Sequence, residues 1–317
     1  MRHLSFKPIF KERVWGGRWI EEQLGRALPS ERSFGESWEI VDRAEVQSVM
    51  VAGSYTGKPL RLAIAEHSIA IMGPGWNPED RFPILVKWLD CRERLSLQVH
   101  PPAAVAAELG GEPKTECWYI ADATPGAALM VGLKAGVTRE QFQQGLQDDQ
   151  LEACCHRIPV TPGESIFVSS GRIHAIDAGN LILEIQQNSD TTYRVYDWGR
   201  LGLDGNPRDL HIEASLKCID FEDFEPSTLK PAPGEQVIAA CAEFRVRKLD
   251  LHVGETSLAF GAEEEPRILS VVEGKIREQN DGNCISRGDN VVLPFAESFN
   301  FVAEEEATVI VTDQFAR

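Results

Sequence analysis

The chain is short of basic residues, with 32 Lys and Arg against 49 Asp and Glu and a formal net charge of −17 over 317 residues. Nucleic acid and an anionic membrane surface both require clustered Lys and Arg, so neither is expected as the main partner. An anionic small molecule would need a local basic pocket. Long apolar runs are also missing: nothing approaches the roughly 20 residues of a membrane helix, and residues 1–8 hold no apolar stretch of signal-peptide length. No membrane partner and a cytoplasmic location are expected. The seven cysteines are an odd number without Cys-x-x-Cys spacing and sit mostly in apolar runs, as Cys218 and Cys241 do. They read as reduced, buried side chains rather than disulfides. No Gly-x-x-x-x-Gly-Lys loop is present, so any phosphate would have to be recognised by side chains.

What is present is a succession of short β-rich runs punctuated by Gly, Pro and Asp, at 84–89, 165–168, 181–185, 244–249, 268–272 and 307–311. These predict a mainly β protein built as an antiparallel sandwich or barrel. The length and the 43% hydrophobic content allow two cores or one elaborated domain. Helical periodicity is confined to 59–72, 101–109, 138–154 and 207–219, the third opening with Thr138-Arg139-Glu140-Gln141, a capping-box pattern.

An internal echo organises these pieces. Pro162-Gly163-Glu164-Ser165-Ile166-Phe167-Val168 matches Arg287-Gly288-Asp289-Asn290-Val291-Val292-Leu293: a turn glycine, an acidic residue, then an apolar strand. Eleven residues beyond Gly163 lies His174, and eleven beyond Gly288 lies Phe299. The pattern resembles the second motif of the cupins, small β-barrels that carry a metal in the barrel mouth. The expectation is therefore a pair of tandem cupin-like barrels (jelly rolls) with a few short helices. Residues 1–230 would form a metal-binding catalytic lobe and 236–317 a metal-free C-terminal lobe, joined by the Pro-rich segment 226–235.

Four residues can be gathered into one metal-centred site. Gln98 and His100 are two apart in Ser96-Leu97-Gln98-Val99-His100-Pro101, so in a strand both point to one face. His174 and Glu116 would approach from other strands of the barrel. Two imidazoles, a carboxylate and an amide oxygen suit a zinc-type divalent ion. His3, His67, His156, His211 and His252 have no such company and read as structural or exposed. Downstream, Asn188-Ser189-Asp190 reads as a turn before a strand at 193–198. Glu184, Asp190 and Arg194 bring two carboxylates and a permanent cation close to the metal candidates along the chain, a set suited to proton transfer beside developing negative charge. Lys87, Lys114 and Arg194, with the Ser96 hydroxyl, are the groups available to an anion. Lys87 lies inside an apolar strand, where its ammonium either snorkels to solvent or meets an anion.

These residues fall in motifs that resemble the type I phosphomannose isomerases, in their short bacterial form. The resemblance runs in order through Val14-Trp15-Gly16-Gly17, Gly35-Glu36-Ser37-Trp38-Glu39-Ile40, Phe82-Pro83-Ile84-Leu85-Val86-Lys87, Leu95 to Pro101, Lys114-Thr115-Glu116-Cys117-Trp118-Tyr119-Ile120, Gly171-Arg172-Ile173-His174-Ala175 and Asp190 to Trp198, about two-thirds of the chain. It implies one Zn2+ per chain on Gln98, His100, Glu116 and His174. It also implies sugar-phosphate contacts from Ser96, Lys87 and Lys114, a catalytic arginine at Arg194, and Glu184 and Asp190 at the acidic positions. Pro102 stands where many relatives have an acidic residue, and the helical insertion of the larger relatives is absent. The implied reaction moves a carbonyl between C1 and C2 of a 6-phosphorylated sugar, mannose 6-phosphate to fructose 6-phosphate, through an enediol(ate). Glu184 and Lys87 both remain candidates for the base. A sugar-phosphate sensor with the same metal site, or an iron oxygenase using His100, Glu116 and His174, would be the competing readings. The oligomeric state is not defined by any of these features.

Overall fold

Charged side chains are embedded in strands that are otherwise apolar on both faces, and this pattern explains the architecture. In the strand Ile84–Cys91, Ile84, Val86 and Trp88 face one way while Leu85, Lys87, Leu89 and Cys91 face the other, and all eight residues are buried. Strands covered on both sides belong to the middle of a layered fold. The computed structural model describes residues 3–254 and 257–316. Among these residues it is mainly β, with four antiparallel sheets arranged as two facing pairs, the tandem cupin-like architecture that the internal repeat predicts.

In the N-terminal pair, a six-stranded sheet runs in the order Ile9–Gly17, Phe34–Ile40, Ile84–Cys91, Asn180–Gln187, Glu116–Ala123 and Ser165–Val168. It faces a five-stranded sheet of Tyr193–Tyr196, Leu97–Val99, His174–Ile176, Ala128–Leu133 and Cys155–Pro159. Leu89, Trp118, Ile120 and Ile182 from the first meet Leu129, Val131 and Ile176 from the second to fill the space between them. The other side of the five-stranded sheet is covered by Phe142 and Cys218 from the helices Arg139–Gln147 and Ile212–Cys218. In the C-terminal pair, a six-stranded and a four-stranded sheet enclose a second core around Leu269, Ile276, Phe299, Phe301 and Val309. The backs of the two six-stranded sheets share a third core. There Val86, Trp88 and Leu183 pack with Phe244, Ile268, Ile310 and the helix Leu60–Met72. The short strand Leu4–Ser5 pairs with Asn290–Leu293 of the C-terminal sheet.

The echo is visible in the backbone. Gly163 and Gly288 both take the left-handed conformation, with φ of 90° and 94°, which a side chain would disfavour. Each is followed by a strand of a six-stranded sheet, and His174 and Phe299 each then begin a strand of the facing, smaller sheet. The helix expected over 59–72 forms as Leu60–Met72, and the other three are shorter than their periodicity suggests. The capping box at Thr138 forms, with the Thr138 hydroxyl accepting from Gln141 N at 3.2 Å. This helix nevertheless stops at Gln147, because Asp149 adopts a left-handed φ of 59° before a separate 3-10 turn at Leu151–Ala153. The 101–109 helix is reduced to Ala103–Ala106. The 207–219 helix begins only at Ile212, because Pro207 bridges to Leu201 and closes a hairpin instead.

Candidate active site

Two rows of side chains, one from each sheet of the N-terminal pair, face each other across the barrel mouth. On the six-stranded sheet, Trp118, Glu184, Lys87 and Trp38 are directly opposite one another on four neighbouring strands. Directly paired residues share a face and touch. Lys87 Nζ lies 3.3 Å from Glu184 Oε1 and 4.9 Å from the Trp38 ring centroid. On the five-stranded sheet, Arg194, Gln98 and His174 form the corresponding row.

His174, at the end of its row, converges with His100 and Glu116, their nearest nitrogen and oxygen atoms all within 4.8 Å of one another. His100 Nε2 is 3.2 Å from Glu116 Oε1, and Gln98 Nε2 is 3.3 Å from His174 Nε2. Rotating the Gln98 amide about its last torsion exchanges nitrogen for oxygen, so its carbonyl can face the same point. Each imidazole is fixed from behind: His100 Nδ1 is 2.8 Å from Thr191 O and His174 Nδ1 is 2.9 Å from Arg172 O. A backbone carbonyl accepts only from a protonated Nδ1, which leaves both Nε2 lone pairs directed inward. Burial, aided by the Lys114 charge, brings His100 down to about 3, and burial lowers His174 as well, so both rings are neutral. Burial opposes ionisation of Glu116, but the Lys114 ammonium 2.5 Å away holds its carboxyl well below the ordinary value. Glu116 is fully buried, and its Oε1 is contacted by the Lys114 ammonium and by His100 Nε2. A buried anionic oxygen beside two inward-facing imidazole nitrogens and an amide is a donor set that fits a divalent cation.

The cavity above this cluster has a volume of about 540 Å³ and reaches Lys87, Ser96, Gln98, Lys114, Glu184, Asp190 and Arg194. All the polar side chains singled out in the sequence for substrate and proton transfer thus border one space. Glu184 is buried, and burial together with the Glu116 charge pushes its carboxyl above the ordinary value. Asp190 is exposed at the mouth. Arg194 donates to Asp209 O at 2.7 Å, while its Nε has no partner.

The cavity also reaches residues to which sequence reasoning gave no role: Arg13, Glu36, Leu203 and Arg208. Glu36 accepts two hydrogen bonds from Arg13, at 2.8 and 3.1 Å, and one from Trp38 Nε1 at 2.6 Å. Burial opposes its ionisation, yet the Arg13 and Lys87 charges bring it down to about 2. Arg208 and Arg200 both bind the buried carboxylate of Asp197. Burial and the Arg208 charge lower Arg194 from its ordinary value, which identifies Arg194, Arg200 and Arg208 as a cluster of like charge. The signal for Glu36 was available in principle, since a charged residue inside a strand-like run is as costly there as Lys87 is in its own strand. Arg208 carried no local signal, because only the hairpin closed by Leu201 and Pro207 brings it back to the cavity.

Comparison with known proteins gives the family and the fold. Residues 4–112 match the family described as phosphomannose isomerase type I, catalytic domain. The chain is 38% identical over 303 residues to the mannose-6-phosphate isomerase ManA of Bacillus subtilis, covering 92% of this chain and 93% of that protein. The crystal structure of the mannose 6-phosphate isomerase from Bacillus subtilis superimposes with a TM-score of 0.84 at 31% identity, covering 98% of this chain and 99% of that one. A mannose 6-phosphate isomerase bound with zinc and yttrium shares the fold, with a TM-score of 0.74 at 17% identity over 99% of both chains. A double-sheet barrel with a buried His-Glu-His cluster at a polar mouth is a scaffold whose donor set could hold a metal ion. The chain belongs to the type I phosphomannose isomerases.

Proposed function

We propose that this chain is a zinc-dependent aldose-ketose isomerase that interconverts mannose 6-phosphate and fructose 6-phosphate through an enediol(ate). One zinc ion per chain would sit in a catalytic lobe formed by residues 1–230, with 236–317 as a metal-free lobe behind it. The observation that carries the reading is a cavity lined by Glu184, Arg194, Arg208, Gln98 and Lys114, the last two of which contact the buried His-Glu-His donor set beneath it. The unpaired cysteines fit a reducing cytoplasm.

Zinc held by Gln98, His100, Glu116 and His174 would supply positive charge to the substrate oxygens at C1 and C2. Glu184 takes a proton from one of these carbons and returns it to the other, since a carboxyl raised by burial is suited to both directions of the transfer. Lys87, paired with Glu184 and set over Trp38, acts as a cation that orients this carboxylate and the sugar oxygens rather than as the base. Arg194, next to Gln98 in its row, opposes the negative charge of the enediolate. Asp190 at the mouth assists ring opening, and Ser96 and Lys114 position the sugar. Lys87 and Lys114 each face a buried carboxylate, which leaves little net charge there for a dianion. Arg200 and Arg208 bring two positive charges to the one carboxylate of Asp197, and that excess supports a phosphoryl group lying against Arg208, which borders the cavity. The test is isomerase activity of the purified protein on mannose 6-phosphate. Ligand-dependent stabilisation without turnover would favour a sugar-phosphate sensor instead.

A further inference from the structure

The two carboxylates of this site share one proton donor. Trp118 is buried, with 1% of its surface exposed. Its Nε1 donates to Glu116 Oε2 at 2.9 Å and to Glu184 Oε2 at 3.0 Å. The other oxygen of each carboxylate faces a lysine: Glu116 Oε1 faces Lys114 at 2.5 Å, and Glu184 Oε1 faces Lys87 at 3.3 Å. The arrangement follows from the sheet. Glu116 and Trp118 are two apart on one strand and share its inner face, while Glu184 is directly opposite Trp118 on the next strand. Two buried carboxylates this close repel each other in a medium that screens poorly, and a donor between them is what sets their spacing. The ring also packs edge-on against His174, with centroids 5.3 Å apart and planes at 83°. One side chain therefore touches two metal-ligand candidates and the proton-carrying carboxylate, although it does not border the cavity.

We propose that Trp118 is a positioning residue whose single indole N–H holds Glu116 and Glu184 as one unit, so that the metal ligand and the proton carrier keep a fixed separation through turnover. The inference rests on the reading of Glu184 as the group that moves the proton. Without the shared N–H, Glu116 loses the bond that orients its ligand oxygen, and Glu184 is free to rotate toward Lys87. Partners of this kind behind a metal ligand typically matter 10- to 100-fold in metal affinity or activity.

The test compares zinc-loaded Trp118→Phe with Trp88→Phe. Trp88 is equally buried, but its indole donates to Gly288 O at 3.0 Å on the other side of the same sheet. Phenylalanine keeps a ring against His174 and removes only the donor and part of the volume. Trp118→Phe should lower kcat at least tenfold with little change in KM, and should raise the zinc dissociation constant, read by chelator competition, by ~10-fold or more. Trp88→Phe should change neither. Equal kcat and zinc affinity in the two variants would overturn the proposal. Loss of a buried indole can itself unfold a chain, so a second measurement keeps Trp118 in place. With 15N-labelled tryptophan, Glu184→Gln and Glu116→Gln should displace one and the same signal among the indole N–H resonances of the seven tryptophans, because one proton serves both carboxylates. Displacement of two different signals, or of none, would overturn the sharing. Normal turnover in Glu184→Gln would instead remove the reading on which the proposal rests, and the kinetics of that variant alone report it.

Discussion

Removing the Arg194 guanidinium separates transition-state stabilisation from binding. Arg194 lies opposite Gln98 on the neighbouring strand and is held by Asp209 O at 2.7 Å, so it is fixed before substrate arrives. A unit positive charge about 4 Å from a developing enediolate is worth ~4 kcal/mol at an effective dielectric of about 20. Arg200 and Arg208 remain after the substitution and retain part of that field. The expected net loss in Arg194→Ala is therefore ~3 kcal/mol, or about a hundredfold in kcat, in line with removal of one donor from a charge-stabilising site. Because the neutral sugar gains less from the charge than the enediolate does, KM should rise far less than kcat falls. Lys114→Ala and Ser96→Ala, which remove groups that position the sugar, should show the opposite balance. Steady-state kinetics with mannose 6-phosphate reads all three. If Arg194→Ala kept its kcat and lost only affinity, Arg194 would belong to the phosphoryl site, and the assignment to the reacting carbons would be wrong.

His100→Ala and His174→Ala should each lose stoichiometric zinc and activity while remaining folded, since neither ring belongs to the apolar cores; metal analysis of the folded variants checks this. The acidic limb of the kcat/KM profile should lie above the ordinary carboxylate range, because burial raises Glu184 and the base must be ionised to act; Glu184→Gln should abolish that limb together with turnover. Glu36 sits in the opposite situation. Its folded value of about 2, against 4.5 for the free group, means stability that is present above pH 4.5 and lost as pH falls toward 2. That contribution is on the order of 3 kcal/mol. Glu36→Gln should therefore be less stable at pH 7 and lose less stability between pH 5 and 2 than the parent in denaturant titrations; parallel acid curves would refute the assignment.

Much of this site was legible because its chemistry violates the rules for ordinary strands. Lys87 and Glu184 are charges in runs that are otherwise apolar, and His100 and Gln98 recur at the two-residue period that puts both on one face. Strand positions were legible where both faces are buried, as at 84–89 and 181–185. They were less so at Phe34–Ile40, where Glu36, Ser37 and Glu39 are buried with partners and mask the apolar signal. Helix lengths were overestimated because periodicity continues past the point where the backbone turns, at Asp149 and at the hairpin closed by Pro207. The pairing of Trp118 with two carboxylates was out of reach, since it depends on the register between Glu116–Ala123 and Asn180–Gln187, and register is a property of the folded sheet.

We infer that zinc on the His-Glu-His donor set and the cavity beside it together isomerise a sugar phosphate. Coupled detection of fructose 6-phosphate from a panel of aldose 6-phosphates, with and without a zinc chelator, tests it most directly. Turnover of mannose 6-phosphate should disappear on chelation and return when zinc is restored; absence of turnover in zinc-replete protein, or full turnover in metal-stripped protein, would refute a zinc-dependent isomerase.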